Sequence, residues 1–119
     1  MAHYSKKIFI PAGTLEKYPI VETLTIKENK INYIDVMIDT VATKAIVGVR
    51  MSIGLPDHKV WNFPENGGEW LWKSEPSVSP ESPVNLPDFN LPLFITCIAP
   101  GTTSNHTVVV SVRTSNRSF

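Results

Sequence analysis

The chain has 119 residues, enough for one domain with its own hydrophobic core, and its eleven basic side chains are matched by eleven acidic ones. That balance, with no like-charge run longer than Lys6-Lys7, excludes a polybasic nucleic-acid or anionic-membrane binder. A single cysteine, Cys97, excludes an internal disulfide and a four-cysteine zinc site. Set within Leu93-Phe94-Ile95-Thr96-Cys97-Ile98-Ala99, it reads as a small buried hydrophobe. The first residues lack the basic-then-apolar pattern of a leader, and no apolar run approaches the roughly 18 residues of a membrane span, so a soluble protein made in a cytoplasm is expected.

Taken in chain order, the segments alternate with period two, the signature of half-buried strands. Lys7–Ile10 is a short strand closed by the turn-forming Pro11-Ala12-Gly13-Thr14. Thr14–Tyr18 is a weak helical candidate, at most a turn. Ile20, Leu24 and Ile26 line one face of the strand 20–27, and Lys27-Glu28-Asn29-Lys30 reads as a hairpin turn. In 32–39, Ile34, Val36 and Ile38 share a face opposite Tyr33, Asp35 and Met37. In 44–52, Ala45, Val47, Val49 and Met51 face inward, against Lys44, Ile46, Gly48 and Arg50. Strands over 93–98 and 107–113 close the chain, the second with Val108, Val110 and Val112 on one side. β-Branched residues dominate throughout, and strong helix formers are sparse. The polar ends, 1–5 and 114–119, are short and uncommitted, each a candidate arm that orders on a neighbour.

The middle differs. Pro56, Pro64, Pro76, Pro80, Pro83, Pro87 and Pro92 are seven of the ten prolines, and Trp61, Trp70 and Trp72 are all of the tryptophans. Proline lacks a ladder donor, so a central strand is not expected to run through this spacing. Residues 58–63 and 69–73 read as short edge strands joined by Glu65-Asn66-Gly67-Gly68, with Trp70 and Trp72 on one face and Leu71 on the other. Residues 74–90 are expected to run extended over the surface. The expected fold is therefore all-β and a single domain over 1–119: an antiparallel two-sheet sandwich, jelly-roll-like, with 56–92 as a long Pro/Trp-rich crossover.

No catalytic set assembles. His3, His58 and His106 lack metal-ligand spacing, no serine sits in a Gly-x-Ser-x-Gly elbow, and Gly67-Gly68 is no phosphate loop. Asp57, Glu65, Glu69 and Glu75 are the carboxylates available for glycoside chemistry, and each reads as a side chain that keeps the surface of a Pro-rich stretch wet. Asn105-His106-Thr107 and Asn116-Arg117-Ser118 match the glycosylation sequon by chance. No catalytic residue, metal or cofactor is expected. The candidate contact residues are Trp61, Phe63, Trp70 and Trp72, read as a satellite core, as a subunit or partner interface, or as a stacking platform for sugar rings.

Four segments together resemble a loose class of small phage virion proteins. These are Ile8-Phe9-Ile10-Pro11-Ala12-Gly13-Thr14, Thr23-Leu24-Thr25-Ile26, Ile31-Asn32-Tyr33-Ile34-Asp35-Val36-Met37-Ile38, and the C-terminal Ile95–Ala99, Pro100-Gly101-Thr102 and His106-Thr107-Val108-Val109-Val110. Lys30 stands where such proteins often carry glycine, and the Trp-rich middle is individual to this chain. The resemblance implies a bacteriophage virion component assembled in the host cytoplasm: a capsid decoration protein, a minor capsid protein or a tail-associated protein. Its implied partners are copies of itself, as a symmetric homo-oligomer, and other virion proteins, with neither nucleic acid nor membrane. The alternative is a carbohydrate-binding or receptor-recognition module using Trp61, Trp70 and Trp72 on a glycan.

Overall fold

The computed structural model describes residues 2–15, 17–38, 47–55, 58–63, 70–72, 75–78, 83–87, 90–100 and 105–116, and among these all regular structure is β. The strands pair in a nested order. β1 (Ala2–Ile10) pairs with β9 (His106–Ser115), β2 (Ile20–Ile26) with β8 (Leu91–Ile98), β3 (Lys30–Ile38) with β6 (Glu75–Val78), and β4 (Gly48–Leu55) with β5 (His58–Phe63), all antiparallel. The first half of the chain thus lies back along the second like one long hairpin. Pairing of β9 with β3 and of β8 with β4 rolls that ribbon into two sheets, β1-β9-β3-β6 and β2-β8-β4-β5. A short β7 (Val84–Asn85) adds to β3 at Lys30 and Ile31. The result is the antiparallel β-sandwich that the alternation predicts.

The core is the sum of the inward rows. Ile8 and Ile10, Val108, Val110 and Val112, and Ile31, Ile34, Val36 and Ile38 come from one sheet; Ile26, Leu93, Ile95, Cys97, Val49, Met51 and Ile53 come from the other. Each such side chain contributes about 1.5–3 kcal/mol over leaving it in water. Ile31 and Ile34 are three residues apart and would face opposite ways in a regular strand. A register shift between Ile31 and Tyr33 makes Asn32 the extra residue, so both isoleucines reach the core. The Asn32 amide nitrogen then donates to Ser115 Oγ at 2.9 Å.

Several boundaries depart from expectation, each for a physical reason. Residues 2–5 are not an arm: Ala2 to Ser5 pair with Thr114 to Ser111, and Thr114 is fully buried. The sequence hides this because an edge strand needs no apolar alternation once its partner supplies the ladder. Residues 27–30 do not close a hairpin, since β2 and β3 belong to different sheets and the turn arches across the sandwich. Residues 74–90 are not simply draped over the surface. β6 and β7 extend the edge of β3, with Pro76 opposite Asp35 on that edge strand, and Leu86 is fully buried, its amide donating to Asn29 O at 2.8 Å. Strand β8 takes in Pro92, which lies one residue past Leu93, the last partner of β4, so its missing donor interrupts no pairing on that side. β4 begins at Gly48, and Ala45 lies outside the described residues. Thr14–Tyr18 is a turn, with the Tyr18 amide donating to Leu15 O at 3.1 Å.

Where β1 and β2 lie at the same side of the sandwich, polar groups replace the apolar rows. Lys6 of β1 meets Glu22 of β2 at 3.6 Å, their side chains 39% and 42% exposed, so the pair adds little stability. Its effect is on specificity, because inward-pointing charges on edge strands oppose pairing with another sheet. Nearby, Glu28 in the arch accepts hydrogen bonds from Thr114 Oγ1 at 2.6 Å and from the Tyr4 hydroxyl at 2.7 Å. The Thr114 hydrogen bond, outweighing partial burial, lowers the Glu28 carboxyl below its ordinary 4.5. Desolvation first, and the Glu28 bond second, raise the Tyr4 phenol. A lowered carboxylate stabilises the fold above its unfolded value, and the contribution disappears as pH falls through the folded value. Glu28→Gln should therefore cost about 1–2 kcal/mol at pH 7. The deficit should shrink below pH about 4.5 as the wild-type carboxylate protonates. Denaturant titrations of both proteins across that range check it; a deficit that does not change with pH would mean the charge is not what joins Tyr4 to Thr114.

Candidate functional site

The four aromatic candidates fall into two pairs on opposite sides of one sheet. Strand β5 places Trp61 opposite Ile53 and Phe63 opposite Met51, so both face inward with those core residues. Their rings stack at 6.1 Å with planes 8° apart, and both pack partly buried against the core. They lie at this edge of the sandwich as an extension of the main core.

Trp70 and Trp72 go the other way, and Leu71 decides it. Leu71 makes an antiparallel bridge to Val49 through two 2.9 Å backbone hydrogen bonds, and its side chain is buried at 6% exposure. Neighbours in extended backbone point to opposite faces, so Trp70 and Trp72 lie on the outer face of β4 and β8. The bridge is to β4; of the expected strand 69–73 the described residues are 70–72, with Leu71 as an isolated bridge, and Glu69 and Lys73 lie outside the described residues. Trp72 rests on Gly48. A Cβ there would sit 3.1 Å from Trp72 Cζ3, 3.2 Å from Cη2 and 3.1 Å from Ile98 Cγ1. Trp70 lies under the Arg50 guanidinium, 3.9 Å from ring centroid to Cζ, a cation–π contact.

These two rings wall an open groove of about 610 Å³, completed by Leu15, Lys17, Ile98 and Pro100. Leu15 and Lys17 come from the loop after β1, which is pinned to the sheet end. The Ala99 amide donates to Thr14 O at 2.9 Å, the Thr14 hydroxyl donates to Pro11 O at 2.7 Å, and the Ala12 amide donates to Asn105 Oδ1 at 2.9 Å. Leu15, Tyr18 and Val21 are 54%, 75% and 53% exposed around it. The lining offers flat aromatic faces, aliphatic walls and one cation, Lys17; it holds no histidine, cysteine, hydroxyl or carboxylate among its described residues.

Elsewhere, His3 is exposed on β1 and His106 pairs with Ile10 at the start of β9. Among the described residues no three His, Cys, Asp or Glu side chains gather where a metal would sit. Asp57, Glu65 and Glu69 lie outside the described residues. Cys97 is fully buried, and desolvation, with Glu22 nearby, pushes its thiol from 9.0 up to about 12. Searches of family models, curated proteins and solved structures found no match to this chain.

Sequence reasoning placed Trp70 and Trp72 together but missed Leu15, Lys17, Gly48, Arg50 and Ile98. One signal was present: a glycine inside a β-branched strand often marks a close approach. Two outcomes follow. Gly48→Ala should displace Trp72, changing near-ultraviolet circular dichroism while stability moves by no more than about 1–2 kcal/mol; an unchanged tryptophan signal would place Trp72 elsewhere. Cys97 should stay unreactive to a disulfide reagent at pH 8 until denaturant unfolds the chain; fast native labelling would contradict its burial.

Proposed function

We propose that this chain is a non-enzymatic structural protein of a bacteriophage virion, a capsid-decoration, minor capsid or tail-associated component that works by assembling with copies of itself and with other virion proteins. One observation carries the reading: the outer face of the β1-β9-β3 sheet leaves the large apolar side chains of Phe9 and Met37 exposed around half-buried Val109. Val109 lies directly opposite Met37, and Phe9 is diagonal to it across the β1–β9 pair. Phe9 and Met37 are 60% and 58% exposed. Neighbouring large hydrophobics left in water on one sheet face suit a surface that another subunit covers.

The nested strand pairing supports the same reading by analogy of fold. We read that order as jelly-roll-like, an architecture common among viral capsid domains. Fold alone assigns no role. The edge at β1 and β2 is guarded by the inward charges of Lys6 and Glu22, which favours face contacts over strand addition there. Closed homo-oligomers repeat one such patch by symmetry.

Light scattering from micromolar concentration upward tests the proposal on a 13.3 kDa chain. A discrete multimer is expected, and Phe9→Lys or Met37→Lys should shift it toward monomer with circular dichroism unchanged. A strict monomer at every concentration would remove self-assembly. A multimer indifferent to both substitutions would move the interface off this face.

A further inference from the structure

The groove on the opposite sheet has a chemistry that assembly through Phe9 and Met37 does not use. We infer that it is a binding site for a carboxylated sugar, a uronate or sialate unit of an acidic glycan, with Trp72 as the stacking platform and Arg50 and Lys17 as the carboxylate partners. This inference stands independently of the assembly proposal.

The platform is built rather than incidental. Trp72 lies on a bare backbone position, where the missing Cβ of Gly48 lets the ring settle against the sheet beside Ile98. A ring seated on a rigid strand loses little freedom when a ligand stacks on it. Pyranose rings present a C–H face that suits an indole plane. The groove of about 610 Å³ also falls within the usual range for small-ligand sites.

Charge selects the kind of sugar. Arg50 is held over Trp70, and Lys17 stands on the loop that forms the groove wall. Lys17 lines the groove, and Arg50 stands beside it on the Trp70 ring; among the described residues the one ion pair is Lys6–Glu22, so neither cation has a carboxylate partner there. An Arg fork accepts a carboxylate with two parallel hydrogen bonds, and a lysine ammonium adds a third donor. A neutral sugar would leave that pairing unused.

An acidic peptide is the competing occupant, and the sheet disfavours it. Under the groove β4 pairs with β8 from Gly48 to Ile53, and on its other side Val49 is already bridged to Leu71 by two backbone hydrogen bonds; β8 pairs with β2 up to Cys97. Among the described residues this leaves a peptide only the strand ends to extend. It would have to bind mainly through side chains, whereas a sugar needs only a ring face and donors.

The test titrates the full chain with trigalacturonate, trimannuronate and sialyllactose, with lactose and maltotriose as neutral controls and a short polyglutamate as the peptide control. Tryptophan fluorescence and calorimetry give the readout. At least one acidic sugar should bind with a dissociation constant below about 1 mM, and about tenfold or more tighter than either neutral sugar. Arg50→Gln and the surface change Lys17→Gln should each remove most of that preference, and Trp72→Ala should abolish binding. Lys7→Gln, on the opposite face, should change nothing. Lys17→Gln keeps the test decisive if Trp72→Ala fails to fold. The inference is overturned if no acidic sugar binds by about 10 mM, if acidic and neutral sugars bind alike, if binding survives the Lys17 and Arg50 changes undiminished, or if polyglutamate alone binds.

Discussion

Burial of the inner rows of β8 and β9 is the constraint from which the rest of the structure follows. Each of these strands is flanked on both sides within its own sheet, and each contributes a run of fully buried side chains, Leu93, Ile95 and Cys97 facing Val108, Val110 and Val112. Because side chains alternate strictly along a strand, a slip of one residue would exchange that row for Phe94, Thr96 and Ile98, or for Val109, Ser111 and Arg113. Moving Arg113 into an apolar interior and three valines into water costs far more than any turn or surface pair can return. Register is therefore fixed at the centre, and the neighbouring strands inherit it.

The same alternation, acting through one residue, creates the groove. Leu71 is buried, so its neighbours must point outward, and its bridge to Val49 sets where along β4 they land. Gly48, one residue before Val49, provides the bare backbone that Trp72 occupies; Arg50, one residue after, reaches Trp70. Three consecutive residues of β4 thus have three separate tasks: core, floor and cation. The Trp61–Phe63 stack arises from identical physics with the opposite outcome, because register with Ile53 and Met51 turns both rings inward. Four aromatics close in sequence end on two faces for a reason that concerns pairing and not composition.

That distinction marks what the sequence made legible. Val36, Val49, Val110 and their neighbours announce themselves by period two, so the all-β class, the faces of the main strands and the burial of Cys97 could be read directly. Edge elements could not. Ala2 to Ser5 carry little apolar signal because pairing with β9 holds them, Tyr4 alone packing partly buried against the core, and Glu75 to Val78 contain a proline tolerated only because the strand is an edge. The arch at 27–30 looked like a hairpin because local turn chemistry is the same whether the next strand pairs in the same sheet or crosses to the other. The groove depended on a contact between residue 71 and residue 49 that no local pattern encodes, and its walls come from a loop fixed by the Thr14 and Asn105 hydrogen bonds.

The sandwich also explains how one small domain can present two unrelated surfaces without conflict. Two packed sheets lie about 10 Å apart, and the dry core between them transmits no direct contact from one outer face to the other. On the outside of β1, β9 and β3, Phe9 and Met37 are exposed and Val109 half-buried between them, with Lys7 opposite Val109 and Arg113 over Tyr33 on the same face. On the outside of β8 and β4 the surface is concave and walled by aromatic and aliphatic side chains, with Lys17 in the wall and Arg50 beside it as donors. An exposed apolar patch gains most from a large, shape-matched protein partner, since its energy scales with the area removed from water. A small cationic groove gains most from a ligand with complementary charge and a ring to stack. Because alternation assigns each outer residue independently of the core residue beside it, selection could shape either face while leaving the valine and isoleucine rows that specify the fold untouched.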